Sequence, residues 1–280
     1  MMNDATDRLF ESHAATALKL RQSTAAERRH KLEQLLEEIL ERKDAILDAA
    51  HRDLRKHPTE TNLTEMLPLV GEVKHAIAHL KRWMKPHRSS PTLATLGTTS
   101  RVVYQPKGRC LIISPWNYPL SLALGPLVSA VAAGNTVILK PSEFTPHTNR
   151  VLKDIIGAVF LQDEVAVVEG DAQTATHLLS RAFDHIFFTG SPAVGKKVMA
   201  AAAHNLTSVT LELGGKSPVI VDASADLRSA AEHIIWGKTV NAGQTCIART
   251  TRMCIAMSST SSSICVAIRL PRDLAKATRT

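Results

Sequence analysis

The chain is predicted to be an open α/β protein: a parallel sheet covered on both faces, behind a helical N-terminal region. Three observations predict this. From Gly108 on, short apolar runs recur: CLIIS (110–114), TVILK (136–140), VAVVEG (165–170), HIFFTG (185–190), SVTLEL (208–213) and SPVIVD (217–222). Segments of helical length separate the first five, which is the pattern of crossover βαβ units. The runs are continuous rather than alternating, as strands buried on both faces require. At 280 residues and 44% hydrophobic composition, the chain can bury such a core as one large or two ordinary domains.

Residues 14 to about 56 set Leu32, Leu35, Leu36, Ile39, Leu40, Ile46 and Leu47 near helical spacing among charges, which predicts an amphipathic helix or helix pair. His57-Pro58 ends it, and a second helical stretch runs to about Lys85, before Pro86. Ser89 to Gln105 is Thr/Ser-rich, with alternating apolar residues and a Gly97 turn, and is predicted to form a hairpin arm. The βαβ region follows from Gly108. From Arg249 the sequence shows a Ser/Thr cluster at 258–263, scattered arginines and no sustained periodicity, matching neither a linker nor a packed element.

Composition excludes several function classes. The net charge of +8 is uneven: after residue 248, Arg249, Arg252, Arg269, Arg272, Lys276 and Arg279 face only Asp273. The remainder is mixed in sign with little aromatic interleaving, so no nucleic-acid partner is expected. No run approaches the ~20 apolar residues of a membrane span, and MMNDATDRLFESH carries no leader, so no membrane partner and a cytoplasmic location are expected. Cys110, Cys246, Cys254 and Cys265 include no CxxC pair and read as reduced thiols, with no metal site.

Five motifs carry candidate chemistry. GSPAVGK (190–196) joins a strand to a helix, where unpaired N–H groups and the helix dipole favour an anion. It fits a dinucleotide turn, a P-loop with Asp222 as the metal-holding acid, or a plain turn; against the P-loop, Lys197 stands where Ser or Thr would ligate magnesium. KPSE (140–143) ends a buried strand, where Lys140 and Glu143 can meet ribose hydroxyls or form a solvated loop. ISPWNYP (113–119) holds the Asn117 amide between Trp116 and a proline, either as a rigid oxyanion donor or as an ordinary turn. LELGGKSP (211–218) sets Glu212 in an apolar strand before Gly214-Gly215, a desolvated general base or a strand-end acid paired with Lys216. NAGQTC (241–246) ends in Cys246, whose polar flanks and Gly243 point to a backbone-lined nucleophile rather than an inert core thiol.

As a set, these motifs resemble the aldehyde dehydrogenase superfamily, in whose order and approximate spacing they stand from near the N-terminus to about Ala248. ISPWNYP and FFTGSPAVGK are most similar to the class 3 branch, which oxidises fatty, aliphatic or aromatic aldehydes and includes coniferyl aldehyde dehydrogenases. The resemblance implies N-terminal helices and arm at 1–107, a Rossmann-like NAD(P)-binding α/β domain at 108–212, the start of a second α/β, catalytic domain at 213–248, and a non-family tail at 249–280. It implies NAD or NADP as cofactor, an aldehyde substrate and a homodimer. Cys246 would be the nucleophile, Asn117 and the Cys246 N–H would hold the oxyanion, and Glu212 would activate water. Trp116, Lys140, Glu143, Gly190, Ser191, Gly195 and Gly215 would form the cofactor site, with Lys140 and Glu143 at the adenosine ribose.

The family's chains continue well past the cysteine, with a Glu-x-Phe-Gly-Pro motif that does not follow Cys246 here. Arg249-Thr250-Thr251 replaces the usual Pro-Asp-Tyr. The expectation is a C-terminally truncated form with an out-of-frame tail and no dimerisation arm, capable of little turnover and at most weak NAD binding.

Overall fold

The computed structural model describes residues 2–221 and 224–254, which fall in two compact units divided between Leu213 and Gly214. In the first unit, α1 (Met2–Leu20), α2 (Ala25–Glu41) and α3 (Lys43–Leu54) stand where one helix or a pair was predicted. α1 begins ahead of residue 14 because Phe10, His13 and Ala17 bury one face at helical spacing. A capping box between Thr24 and Glu27 restarts the chain as α2, whose Leu32, Leu35 and Ile39 are fully buried.

His57-Pro58 ends the helical run, as predicted, and at once opens α4 (Pro58–Thr61): the His57 side chain accepts the Thr59 N–H, and Pro58 takes a first-turn position. α4 passes through a π-helical turn, Asn62–Met66, into α5 (Leu67–Trp83). The arm is an antiparallel pair, β1 (His87–Ser89) with β2 (Ser100–Val102), reached through Gly97 at φ +86°.

Five strands then form one parallel sheet: β3 (Arg109–Ile113), β4 (Thr136–Lys140), β5 (Val165–Val167), β6 (His185–Gly190) and β7 (Ser208–Leu213), in the order β5-β4-β3-β6-β7. The crossovers are α6 (Ser121–Ala133), α7 (Pro146–Val159), α8 (Ala172–Leu179) and α9 (Pro192–Ala203). Side chains alternate between two cores. Cys110, Ile112, Val137 and Leu139 pack with α2, α5, α6 and α7, while Leu111, Ile113, Ile138, Ile186 and Phe188 pack with α1, α8 and α9. This two-sided burial explains the continuous apolar runs. The strand order reverses between β3 and β6, so the crevice outside their carboxyl ends is the place where open α/β sheets take ligands.

The second unit is one further crossover, β8 (Ser217–Val221), α10 (Leu227–Thr239) and β9 (Arg249–Cys254), with β8 and β9 parallel. β9 corrects the expectation that no packed element follows Arg249: main-chain pairing with β8 orders this segment without needing side-chain periodicity. Asp222 and the Ser/Thr cluster at 258–263 lie outside the described residues. Among the described residues no helix is long and apolar enough to cross a membrane.

Candidate active site

The sequence-predicted groups of the first unit gather along the carboxyl edge of the sheet. β3 delivers the loop Ser114-Pro115-Trp116-Asn117, with the Ser114 N–H donating to Lys140 O at 3.1 Å. Trp116 is 37% exposed, and Asn117 is half-buried. Ser114 Oγ is fully buried with no hydrogen-bond partner, an orphaned polar atom at the carboxyl end of the strand next to the switch point.

β4 ends in Lys140, which is buried rather than solvated; its Nζ donates to Glu143 Oε2 and to Pro141 O, each at 3.1 Å. The solvated-loop alternative therefore does not hold for Lys140. Its partner Glu143 keeps 38% side-chain exposure, so a carboxylate faces outward from an anchored cation. The loop closes into α7, whose own N-cap, Thr145, makes no side-chain cap. Asp53 of α3 supplies it, accepting from the His147 N–H at 3.1 Å and from the Thr148 N–H and Oγ1 at 2.8 Å.

At the end of β6, Ser191 caps α9, its Oγ accepting the Val194 N–H at 3.3 Å. Gly190 has no room for a side chain, since a Cβ would meet the Phe188 ring at 2.5 Å. Gly195 is buried, and a Cβ there would meet Leu213 Cδ2 at 2.8 Å, so its position demands close helix-to-strand packing. Glu212 lies opposite Thr189 in register and is exposed. The expected desolvation by an apolar strand does not occur: Leu211 and Leu213 pack against the second apolar cluster, and Glu212 alternates with them to the opposite face.

Gly215 and Cys246 belong to the second unit. A Cβ on Gly215 would come within 3.2 Å of Cys246 O, so the glycine lets the two backbones approach. NAGQTC follows α10 in a tight turn with three successive left-handed residues, Asn241 and Ala242 at φ 54° and Gly243 at φ 76°. Asn and Gly tolerate that region and Ala does not, so Ala242 carries strain of about 1–2 kcal/mol. Asn241 is buried, with Nδ2 donating to Gln244 O at 3.4 Å. Cys246 is exposed, whereas Cys110 on β3 is buried and its thiol is pushed up to about 12, chiefly by burial.

Three side chains that frame these loops were not singled out in the sequence: Asp53, Lys56 and Glu65. All sit in segments that read as charged helix surface, yet Lys56 is 4% and Glu65 0% exposed. The break at Pro58 between Lys56 and Glu65 was their only sequence signal.

Residues 3–264 match the profile described as "Aldehyde dehydrogenase family". The chain belongs to the aldehyde dehydrogenase family. The match runs past Ala248, where the motif resemblance stops. The chain is 46% identical over 210 residues to aldehyde dehydrogenase family 3 member B1 of Homo sapiens, a class 3 relative, covering 75% of this chain and 45% of that protein. It superposes with a TM-score of 0.86 on the substrate-bound state of Staphylococcus aureus AldH, at 39% identity, covering 89% of this chain and 54% of that one. A Mycobacterium tuberculosis aldehyde dehydrogenase complexed with NAD+ gives a TM-score of 0.80 at 27% identity, over 87% of this chain and 50% of that one. The chain spans about half the length of the curated relatives it matches. Family membership decides against the P-loop alternative, in line with Lys197 standing where magnesium chemistry would need a hydroxyl.

Proposed function

We propose that this chain bears the cofactor-binding edge and the nucleophile for NAD(P)-dependent oxidation of an aliphatic or aromatic aldehyde to the carboxylic acid. The observation that carries the reading is the convergence of Asn117, Lys140, Glu143, Gly190 and Glu212 on the carboxyl edge of one sheet, around its switch point. The donor set fits a dinucleotide: an orphaned Ser114 hydroxyl, an anchored Lys140–Glu143 pair with an outward carboxylate, and the capped start of α9. Glu143 would accept from ribose hydroxyls, and its charge would repel a 2′-phosphate, which favours NAD over NADP. Similar solved structures include both an NAD+ complex and an NADP dependent enzyme of E. coli, so the preference rests on Glu143.

Cys246 Sγ, as thiolate, would add to the aldehyde carbon, and the Asn117 amide with the Cys246 N–H would donate to the oxygen that takes up the charge. When bound, the cofactor supplies the acceptor for the hydride leaving that carbon. Glu212 would then take a proton from water as its oxygen attacks the thioester, releasing the acid and the free thiol. The balance is aldehyde, NAD+ and water to acid, NADH and a proton.

One observation favours a second reading, a cofactor-binding or subunit-interaction chain with little turnover: Cys246 is exposed, and bulk water around the nucleophile opposes the chemistry. Both readings are decided on the same sample. NAD+ titration followed by fluorescence should saturate, and Lys140→Ala should abolish it. Aldehyde-dependent NADH formation lost in Cys246→Ser supports the dehydrogenase reading, binding without turnover supports the second, and failure to bind NAD+ overturns the dehydrogenase reading and the cofactor-binding form of the second.

A further inference from the structure

The loop that presents Asn117 hangs on a buried ion pair from the N-terminal helices. Lys56 Nζ lies 2.7 Å from Glu65 Oε1, with side-chain exposures of 2% and 1%. The lysine also donates to Asn117 O at 3.3 Å and sits 4.5 Å from the Tyr118 ring centroid. The second glutamate oxygen, Oε2, accepts the N–H groups of Leu120 at 2.9 Å and Ser121 at 3.3 Å.

Each contact answers a local need. The loop contains Pro115 and Pro119, which donate no main-chain hydrogen bonds, and α6 has no side-chain cap at its N-cap, Leu120. Its first amides are orphan donors, and its start carries partial positive charge. Glu65 meets both needs from another element. Lys56 then balances the buried carboxylate and spends its remaining donors on the loop. Two backbone features aim the pair inward: Arg55 turns the chain at φ 56° just before Lys56, and Glu65 lies in the π-helical turn, a geometry frequent at functional sites.

We propose that Lys56 and Glu65 are positioning residues for Asn117, fixing the main chain of its loop so that the amide is aimed before substrate arrives. This rests on the reading of Asn117 as oxyanion donor. A pair serving stability alone needs no contact with the loop, and apolar replacements of buried ion pairs are often neutral. The loop contacts distinguish the two roles.

The test uses two double variants of the full chain. Lys56→Met with Glu65→Leu removes both charges and the acceptor; Lys56→Met with Glu65→Gln removes the charges and keeps a carbonyl. In the first, hydrogen exchange at Leu120 and Ser121 should rise about tenfold, with the Asp53-capped start of α7 unchanged. Acylation of Cys246 by an activated aryl ester should slow by about tenfold in rate constant, with little change in half-saturation. The Gln variant should recover part of both losses. Unchanged exchange at Leu120 and Ser121 would overturn the proposal. Asn117→Ala separates the remaining failures. If it slows acylation and the pair variants do not, the inference falls and the reading of Asn117 stands. If it slows nothing, the reading of Asn117 falls and takes the inference with it.

Discussion

The first unit covers both faces of a five-stranded sheet, each with its own apolar cluster. The described part of the second is a single β8–α10–β9 crossover that leaves Ile220 64%, Trp236 71% and Ile247 75% exposed. One helix can cover only one face of two strands, and two-stranded sheets are marginal by themselves. The groups assigned to the cofactor, Gly215 apart, therefore sit on a framework sufficient in itself, whereas the nucleophile sits on one that shows apolar surface to solvent. Self-sufficiency of this kind is measurable, and the two thiols test it most sharply. Cys110 lies inside the first unit and Cys246 on the surface of the second. Alkylation of the native protein near neutral pH, read by peptide mass, should label Cys246 on the order of a thousandfold faster than Cys110, which reacts only through opening of the sheet. Comparable rates would mean that the first unit opens as readily as the second.

Core truncation should give the next largest effect. Leu111 is 0% exposed on the central strand, and Leu111→Ala should cost about 2–5 kcal/mol in denaturant unfolding. Trp236→Ser in the second unit should stay within about 0.5 kcal/mol while reducing binding of a hydrophobic dye. A Trp236 substitution as costly as that of Leu111 would show that the second unit has a covered core after all.

The same contrast sets how much was legible in sequence. Strands buried on both faces announce themselves as unbroken apolar runs, so CLIIS, TVILK and HIFFTG located β3, β4 and β6 and the crossovers between them. The start of α1, ahead of residue 14, escaped because its buried face is built from Phe10, His13 and Ala17 rather than a run of leucines. β9 escaped because pairing with β8 runs through the main chain and leaves no periodicity to read. Around the site, motif spacing located the loops but not what fixes them. Lys56, Glu65 and Asp53 look like any helix-surface charge until the fold turns them inward, and Glu212 looks buried until the strand's alternation sets it on the face opposite Leu211 and Leu213.

A smaller effect belongs to the turn before Cys246. Replacing Ala242 at φ 54° with glycine should remove a left-handed penalty of about 1–2 kcal/mol, less the added freedom of the unfolded chain. The gain should appear as slower exchange in residues 240–248 and leave the first unit unchanged. A loss of stability would mean that the Ala242 side chain contributes packing that outweighs the strain.

The smallest effect is a pH dependence that should belong to the first unit. Burial lowers the His13 imidazole below its ordinary 6.5, against the raising effect of its hydrogen bond to Gln162 O. Burial likewise lowers His185, which sits between Ser208 Oγ at 2.8 Å and Thr210 Oγ1 at 3.1 Å, and the charge of Lys107 adds to the shift. The unfolded chain then binds protons at a higher pH than the folded one, so stability rises with pH across that interval. The stabilisation is complete above about 6.5 and is lost as pH falls below that value through the lowered folded-state pKa values. Unfolding of the first unit, followed at pH 7.5, 6 and 5, should therefore weaken progressively, and a His13→Gln variant that still bonds Gln162 should flatten the trend. A dependence of the opposite sign would require these imidazoles to be charged in the folded first unit, which their burial opposes.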